Sequence, residues 1–212
     1  MNIASEVAQR LLQIKAIKLS PQKPFTWASG LKSPIYCDNR MVLSHPDIRN
    51  FIIDCFVEKA QAFGAIDQVA GVATAGIAHG ALLADRLNLP FIYVRAKAKE
   101  HGRQNLIEGE VQDKARVLVI EDLISTGGSS ISAVAALREA GCEVAGTLAI
   151  FTYGFDAAAK AFAEATCPLD TLSHYDALVQ EAAASGYVAQ NELELLKSWR
   201  ANPQVWSANQ GA

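Results

Sequence analysis

One stretch concentrates side chains capable of chemistry: Glu121-Asp122-Leu123-Ile124-Ser125-Thr126-Gly127-Gly128-Ser129, directly after the apolar run Val117-Leu118-Val119-Ile120. Gly127 and Gly128 permit close backbone approach, Ser125, Thr126 and Ser129 offer hydroxyl donors, and the free amides of a helix start carry partial positive charge. That set suits a phosphate monoester. The adjacent carboxylates of Glu121 and Asp122 repel phosphate and suit sugar hydroxyls or a magnesium-bound water. The whole string therefore describes a site for a phosphorylated sugar. A strand end followed by an ordinary Ser/Gly helix cap explains any three of these residues but not the full combination. No G-x-x-x-x-G-K-[ST] pattern occurs, which excludes a nucleotide-hydrolase phosphate loop. The acids precede the glycines, the reverse of a dinucleotide fingerprint.

A second concentration is cationic: Arg95, Lys97, Lys99, His101 and Arg103. It opens a polar segment over 97–114 that holds Gly102 and Gly109 and is too long for a routine connection, as functional lids are. Taken alone, such a run reads as a solvated charged face. The turn Ala73-Thr74-Ala75-Gly76 could present backbone amides to an anion, although these residue types are common in turns. His79 lies among apolar helix positions and reads as structural.

The elements that must position these groups follow from periodicity. Apolar residues at helical spacing predict a helix over 3–17 and another opened by Ser44-His45-Pro46-Asp47 and closed at Gly64, with Ser44 as the capping residue. Pro21, Pro24, Gly30 and Pro34 punctuate a small hairpin-like element between them. From Gln68 onward strands over 68–73, 90–95, 116–120 and 143–151 alternate with helices over 77–87, 129–140 and 156–164. Nearly continuous apolar strands require cover on both sheet faces, so the fold class is α/β with a mainly parallel central sheet flanked by helices. A strand over 169–172 and helices over 175–184 and 191–200 follow, and the chain from Pro203 reads as a frayed tail. Ligands of such sheets collect at the carboxyl ends of strands, which is where the Glu121–Ser129 string falls.

The chain has 212 residues, half of them hydrophobic, 19% charged, with a formal net charge of −3. That is enough for a core without disulfides, and the charge offers no basic surface for nucleic acid. Cys37, Cys55, Cys142 and Cys167 stand apart without metal-ligand spacing and read as reduced thiols. No signal peptide or membrane span is recognisable, so a cytoplasmic protein is expected, with neither nucleic acid nor membrane as partner. One domain over residues 1–212 is expected: helix and hood over 1–40, sheet core over 65–155 with a lid at 96–110, and a strand with helices over 156–212.

The string from Val117 to Ser129 resembles the phosphoribosyl-diphosphate signature of the type I phosphoribosyltransferases. Two further segments, Arg95-Ala96-Lys97-Ala98-Lys99-Glu100-His101-Gly102 and Phe25-Thr26-Trp27-Ala28-Ser29-Gly30-Leu31-Lys32-Ser33-Pro34-Ile35-Tyr36, look like the catalytic loop and amino-terminal hood of that family's orotate branch. The resemblance runs in order over roughly residues 1 to 155. It implies the type I phosphoribosyltransferase fold with a small hood and a mobile catalytic loop. It also implies transfer of ribose 5-phosphate from 5-phosphoribosyl 1-diphosphate to orotate, with Mg2+ required and no protein metal ligand assigned.

By the same resemblance Lys99, His101 and Asp122 are catalytic. Arg95, Lys99, His101, Glu121, Asp122, Leu123, Ile124, Ser125, Thr126, Gly127, Gly128 and Ser129 bind phosphoribosyl diphosphate, and Ser125 contacts orotate. Tyr36 and Cys37 occupy hood positions that face the base, and Arg40 is a candidate donor to the orotate carboxylate. Family members are dimers in which one subunit's lid closes over its partner's site, so a homodimer is expected. The chain departs from many bacterial members at Ala28, Thr74-Ala75, Ala96 and Thr152-Tyr153-Gly154, where those carry basic groups. The phosphoribosyl motif is complete, whereas the orotate-binding groups are left to be identified. Transfer to a purine base and non-catalytic sensing of phosphoribosyl diphosphate are the alternatives.

Overall fold

A computed structural model describes residues 2–96 and 106–210. The amino-terminal helix α1 (Ile3–Gln13) begins where Asn2 accepts a hydrogen bond from the Ala4 amide at 3.2 Å, and it buries Val7, Ala8, Leu11 and Leu12. It is shorter than its periodicity suggests, because Ile17 leaves the helix for strand β1 (Ile17–Leu19). The hairpin-like region consists of β2 (Phe25–Thr26) paired with β3 (Lys32–Ser33), and of β4 (Ile35–Cys37) paired antiparallel with β1.

A 3-10 turn over Asn39–Ser44 leads to α2 (Pro46–Ala60). Here the expected serine cap is not found. Ser44 closes the 3-10 turn, His45 takes the cap position without a side-chain hydrogen bond, and Pro46 starts the helix, where its missing N–H costs nothing.

The core then alternates β5 (Gln68–Val72), α3 (Ala75–Leu87), β6 (Phe91–Val94), β7 (Ile107–Glu108), β8 (Arg116–Ile124), α4 (Gly128–Glu139), β9 (Glu143–Thr152), α5 (Asp156–Glu164), β10 (Leu169–His174), α6 (Tyr175–Ala184), α7 (Leu193–Ala201) and α8 (Pro203–Ala208). Six strands form one sheet in the order β10-β9-β8-β5-β6-β7, parallel throughout except for the β6–β7 pair. Leu118 and Ile120 pack into a cluster with α1, α2 and α6. Val117 and Val119 pack into a second with α4 and α5. Burial on both faces explains why these strands carry almost no polar residues.

Chain order runs outward from β5 in one direction and from β8 in the other, so the crevice between their carboxyl ends is a topological switch point. The β6–β7 pairing, Tyr93 with Glu108 and Val94 with Ile107, is extended by the Arg95 amide on the Leu106 carbonyl at 2.8 Å. The segment expected to form the lid thus leaves and re-enters the sheet at one place. Lys97, Lys99, His101, Gly102 and Arg103 lie outside the described residues.

The carboxyl-terminal segment corrects another expectation. Residues from Pro203 do not fray but form α8, capped by Asn202 accepting from the Val205 amide at 3.1 Å, with Trp206 only 6% exposed. The Ser207 hydroxyl accepts from the Lys32 amide at 2.8 Å, which joins this helix to the β2–β3 hairpin. Burying a tryptophan removes enough apolar surface to offset the entropy that otherwise frees a chain end. No helix among the described residues is long and apolar enough to cross a membrane.

Candidate active site

Strand β8 runs four residues beyond the apolar stretch, to Ile124, and pairs with β9 along that extension, Glu121 beside Ala149 and Ile124 beside Thr152. Glu121 and Asp122 are therefore strand residues held by a sheet ladder, and their side chains have different surroundings. Glu121 is 6% exposed; its Oε1 accepts from the Asp122 amide at 3.0 Å and its Oε2 from the Ser130 hydroxyl at 3.5 Å, in the first turn of α4. Asp122 is half-buried on the hood side, where its carbonyl accepts from Asn39 Nδ2 at 2.7 Å.

Burial, and then the neighbouring Asp122 charge, push the Glu121 carboxyl up to about 9, so it keeps its proton through neutral pH in the free protein. Burial raises Asp122 as well, opposed by its hydrogen bond with Glu121 and by the Arg40 charge.

Gly127 turns the chain from strand to helix with φ +83°, a conformation that favours glycine, and a Cβ there would press on the Phe162 ring at 2.9 Å. At Gly128 a Cβ would meet nothing within 4 Å. Gly76, at the start of α3, sits so close to the Ile120 carbonyl oxygen that a side chain cannot be inserted without moving backbone. Helix α3 is thereby seated against the residues that precede the two acids.

Two cavities border the 125–129 loop. The smaller, about 280 Å³, brings Ala73, Arg95, Gly128, Ser129 and Ser132 to one place. The turn after β5, the end of β6 and the start of α4 thus face the same space, and the Ala73–Thr74 peptide bond there is cis. Arg95 stands 3.4 Å from Glu108. The larger cavity, about 740 Å³, extends from Ser125 and Thr126 past Trp27 and Gly154 to α7 and α8.

Other residues singled out in the sequence are placed as follows. Tyr36 is exposed on the hood against Phe25, with ring centroids 5.8 Å apart. Burial and the Asp122 charge raise the Cys37 thiol well above its usual range. Arg40 is exposed and pairs with Asp38 at 2.7 Å, and Lys32 donates to the Thr26 hydroxyl at 2.9 Å. His79 is fully buried, neither ring nitrogen has a hydrogen-bond partner among the described residues, and burial lowers it to about 4. It is a neutral core residue, as its apolar neighbours implied. Lys99 and His101 fall outside the described residues.

The sequence reading missed the wall of the larger cavity. Trp199 packs against Trp27, Tyr153, Phe155 and Tyr175, with centroids 5.4–5.8 Å apart. Trp27 also stacks on Tyr153 at 5.5 Å. Trp199, in the helix expected over 191–200, and Trp206, in the segment taken for a tail, were the signal.

The comparisons match this geometry. Residues 39–184 match the model of the phosphoribosyl transferase domain. A protein of Listeria innocua named orotate phosphoribosyltransferase is 54% identical over 97% of this chain and 99% of its own. The chain belongs to the orotate phosphoribosyltransferases. A second relative of that name, from Bacteroides thetaiotaomicron, is 52% identical over 98% of both chains. Among solved structures, the orotate phosphoribosyltransferase of Aeropyrum pernix superposes with a TM-score of 0.74 at 28% identity, over 86% of this chain and 99% of its own. The UMP synthase of Leishmania donovani gives 0.78 at 26% identity, over 93% of this chain and 42% of that longer one. In the two relatives the match covers 97–98% of this chain and so extends well beyond the signature string.

Proposed function

We propose that the protein transfers ribose 5-phosphate from 5-phosphoribosyl 1-diphosphate to orotate, releasing diphosphate and forming orotidine 5′-monophosphate in pyrimidine biosynthesis. The observation that carries this reading is the loop of residues 125–129 at the switch point, bordered on one side by a small cavity that holds Arg95, Ser129 and Ser132 and on the other by a large partly aromatic one.

Breaking the bond between C1 of the ribose and the diphosphate oxygen leaves positive charge on the sugar and negative charge on the departing group. The orotate ring nitrogen then bonds to C1, and its N–H proton passes to the departing diphosphate. Both charges need electrostatic partners already in place. The amides of 126–129 and the hydroxyls of Ser125, Thr126 and Ser129 hold the 5-phosphate, as a helix start with open glycine approach does. Asp122, open toward the hood, accepts from ribose hydroxyls and favours the developing cation. Glu121, neutral in the free protein, hydrogen-bonds a ribose hydroxyl without adding charge and, through Ser130, keeps the loop in register with the strand. Leu123 and Ile124 carry the strand backbone into the loop. Arg95 faces the diphosphate from the smaller cavity, and Lys99 and His101 complete its charge balance. Ser125, which borders the larger cavity, contacts the base.

Magnesium suits these residues in one way. Among the described residues no group of three or more His, Cys, Asp or Glu side chains could cage an ion. Mg2+ is commonly held by one or two carboxylates together with substrate phosphate oxygens, and Asp122, the less buried of the two acids, is the carboxylate that would serve. Bound there it would supply neutralisation of charge on the diphosphate.

The same reading makes the protein a single functional unit of hood, sheet core and carboxyl-terminal helices. It also makes it a homodimer in which Lys99 and His101 serve the partner's site, and a cytoplasmic enzyme, in keeping with four free cysteines. Loss of orotate absorbance with Mg2+ and both substrates tests the activity; no turnover sinks it. Lys99→Ala should lower turnover on the order of 100- to 1,000-fold, the usual cost of one transition-state charge partner, with substrate binding less affected. Mixing Lys99→Ala with Asp122→Ala chains should restore activity in hybrids, and absence of recovery refutes shared sites.

A further inference from the structure

The larger cavity contains one guanidinium whose setting the reaction described above leaves unused. Arg200, on α7, donates through Nη1 to Asp176 Oδ1 at 2.5 Å, with the arginine side chain 35% and the aspartate side chain 56% exposed. Its other nitrogens lie against the Gly154 backbone: a Cβ built at Gly154 would stand 3.3 Å from Nη2 and 3.6 Å from Nε. Neither nitrogen has a hydrogen-bond acceptor among the described residues, and both Arg200 and Gly154 line the cavity that reaches Ser125.

The other cation on this wall, Lys197, is engaged with Glu194 at 2.9 Å in an exposed pair. Arg200 thus presents two free donors in a fixed fork, held in place by the aromatic packing of its neighbour Trp199. A planar fork of N–H donors is matched by a carboxylate, which can accept from two of them at once.

We propose that Arg200 receives the carboxylate of orotate and sets the preference for a carboxylated base. This rests on the reading of orotate as acceptor. Asp176 balances the guanidinium charge in the empty site, and glycine at 154 leaves room for the guanidinium just beyond the end of β9. The carboxyl-terminal helices thereby contribute a substrate contact as well as apolar burial.

The test uses Arg200→Gln, Arg200→Lys and Asp176→Asn beside the wild type, with KM for orotate, KM for phosphoribosyl diphosphate and inhibition by uracil, which lacks the carboxylate. Arg200→Gln is expected to raise KM for orotate on the order of 10- to 100-fold, the equivalent of a charge-assisted hydrogen bond. KM for phosphoribosyl diphosphate and inhibition by uracil should stay near wild type, and Arg200→Lys should recover part of the loss. Asp176→Asn releases the guanidinium, so orotate should bind as well or better.

An unchanged orotate KM in Arg200→Gln overturns the proposal. So does an Asp176→Asn variant that reproduces the Arg200→Gln loss, because that marks the pair as purely structural. If Arg200→Gln does not fold, Arg200→Lys and Asp176→Asn decide by the same criteria. Selective loss of orotate in Arg40→Gln, with Arg200→Gln unaffected, places the carboxylate on the hood and also overturns it. Wild-type turnover is read in the same assay, so failure of the orotate reading itself shows as no turnover at all.

Discussion

At the β8–α4 junction nine consecutive residues, 121–129, carry two acids, three hydroxyls and a glycine turn, so the phosphate end of the site is made by one continuous piece of backbone. The base end is assembled differently. Trp27 comes from the hood, Ser125 from the loop, Gly154 from the end of β9, Tyr175 from α6 and Arg200 from α7. Phosphate is bound by main-chain amides whose positions local geometry dictates, and so a short motif suffices. An aromatic, carboxylated base is recognised by side-chain shape and charge, which only packing between distant segments can arrange.

This difference makes the two ends break in different ways. Trp199→Ala removes the ring on which Trp27, Tyr153, Phe155 and Tyr175 converge and should cost about 3–5 kcal/mol in chemical denaturation. It should also raise KM for orotate more than KM for phosphoribosyl diphosphate; an equal effect on both would erase the distinction between the ends. Gly127→Ala forces a side chain into a left-handed turn against Phe162 and should cost about 1–3 kcal/mol. Its kinetic damage should fall on phosphoribosyl diphosphate. Gly128→Ala, with open space around it, should leave the melting temperature of the free protein nearly unchanged.

An effect that depends on pH is expected from Glu121→Gln. Glu121 keeps its proton to about pH 9 in the folded chain but loses it in the ordinary carboxylate range when unfolded. The folded state therefore binds more protons across that window, and stability falls as pH rises through it. Glutamine removes the dependence. The variant should melt higher than wild type at pH 8 and alike below pH 4, and a parallel pair of melting curves against pH would refute the assignment. Smallest is Ser207→Ala, which loses one hydrogen bond between α8 and the hairpin, about 1 kcal/mol. It sharpens the comparison if orotate KM alone responds.

The sheet was readable because strands buried on both faces are continuously apolar, as Val117 to Ile120 are, and because Gly, Ser and Thr mark the turn that follows. The length of β8 was not. Glu121 and Asp122 look like turn residues in the sequence, and only pairing with β9 keeps them extended. The Ser44 cap failed because a 3-10 turn took that residue first. The tail failed because helix length and polarity say nothing about a docking surface supplied by β3, nearly the whole chain away. His79 was legible from its apolar neighbours alone.

Residue types in a local string thus determined the α/β class, the phosphate loop and the family, because amide, hydroxyl and glycine geometry act over a few neighbouring positions. Tertiary structure alone decided that Glu121 turns to Ser130 while Asp122 lies on the hood side. It also decided that α7 and α8 close the base cavity and that Arg200 lies against Gly154. Those relations join residues far apart in the chain, and their physical cause is the burial of apolar surface between segments, which no local pattern encodes.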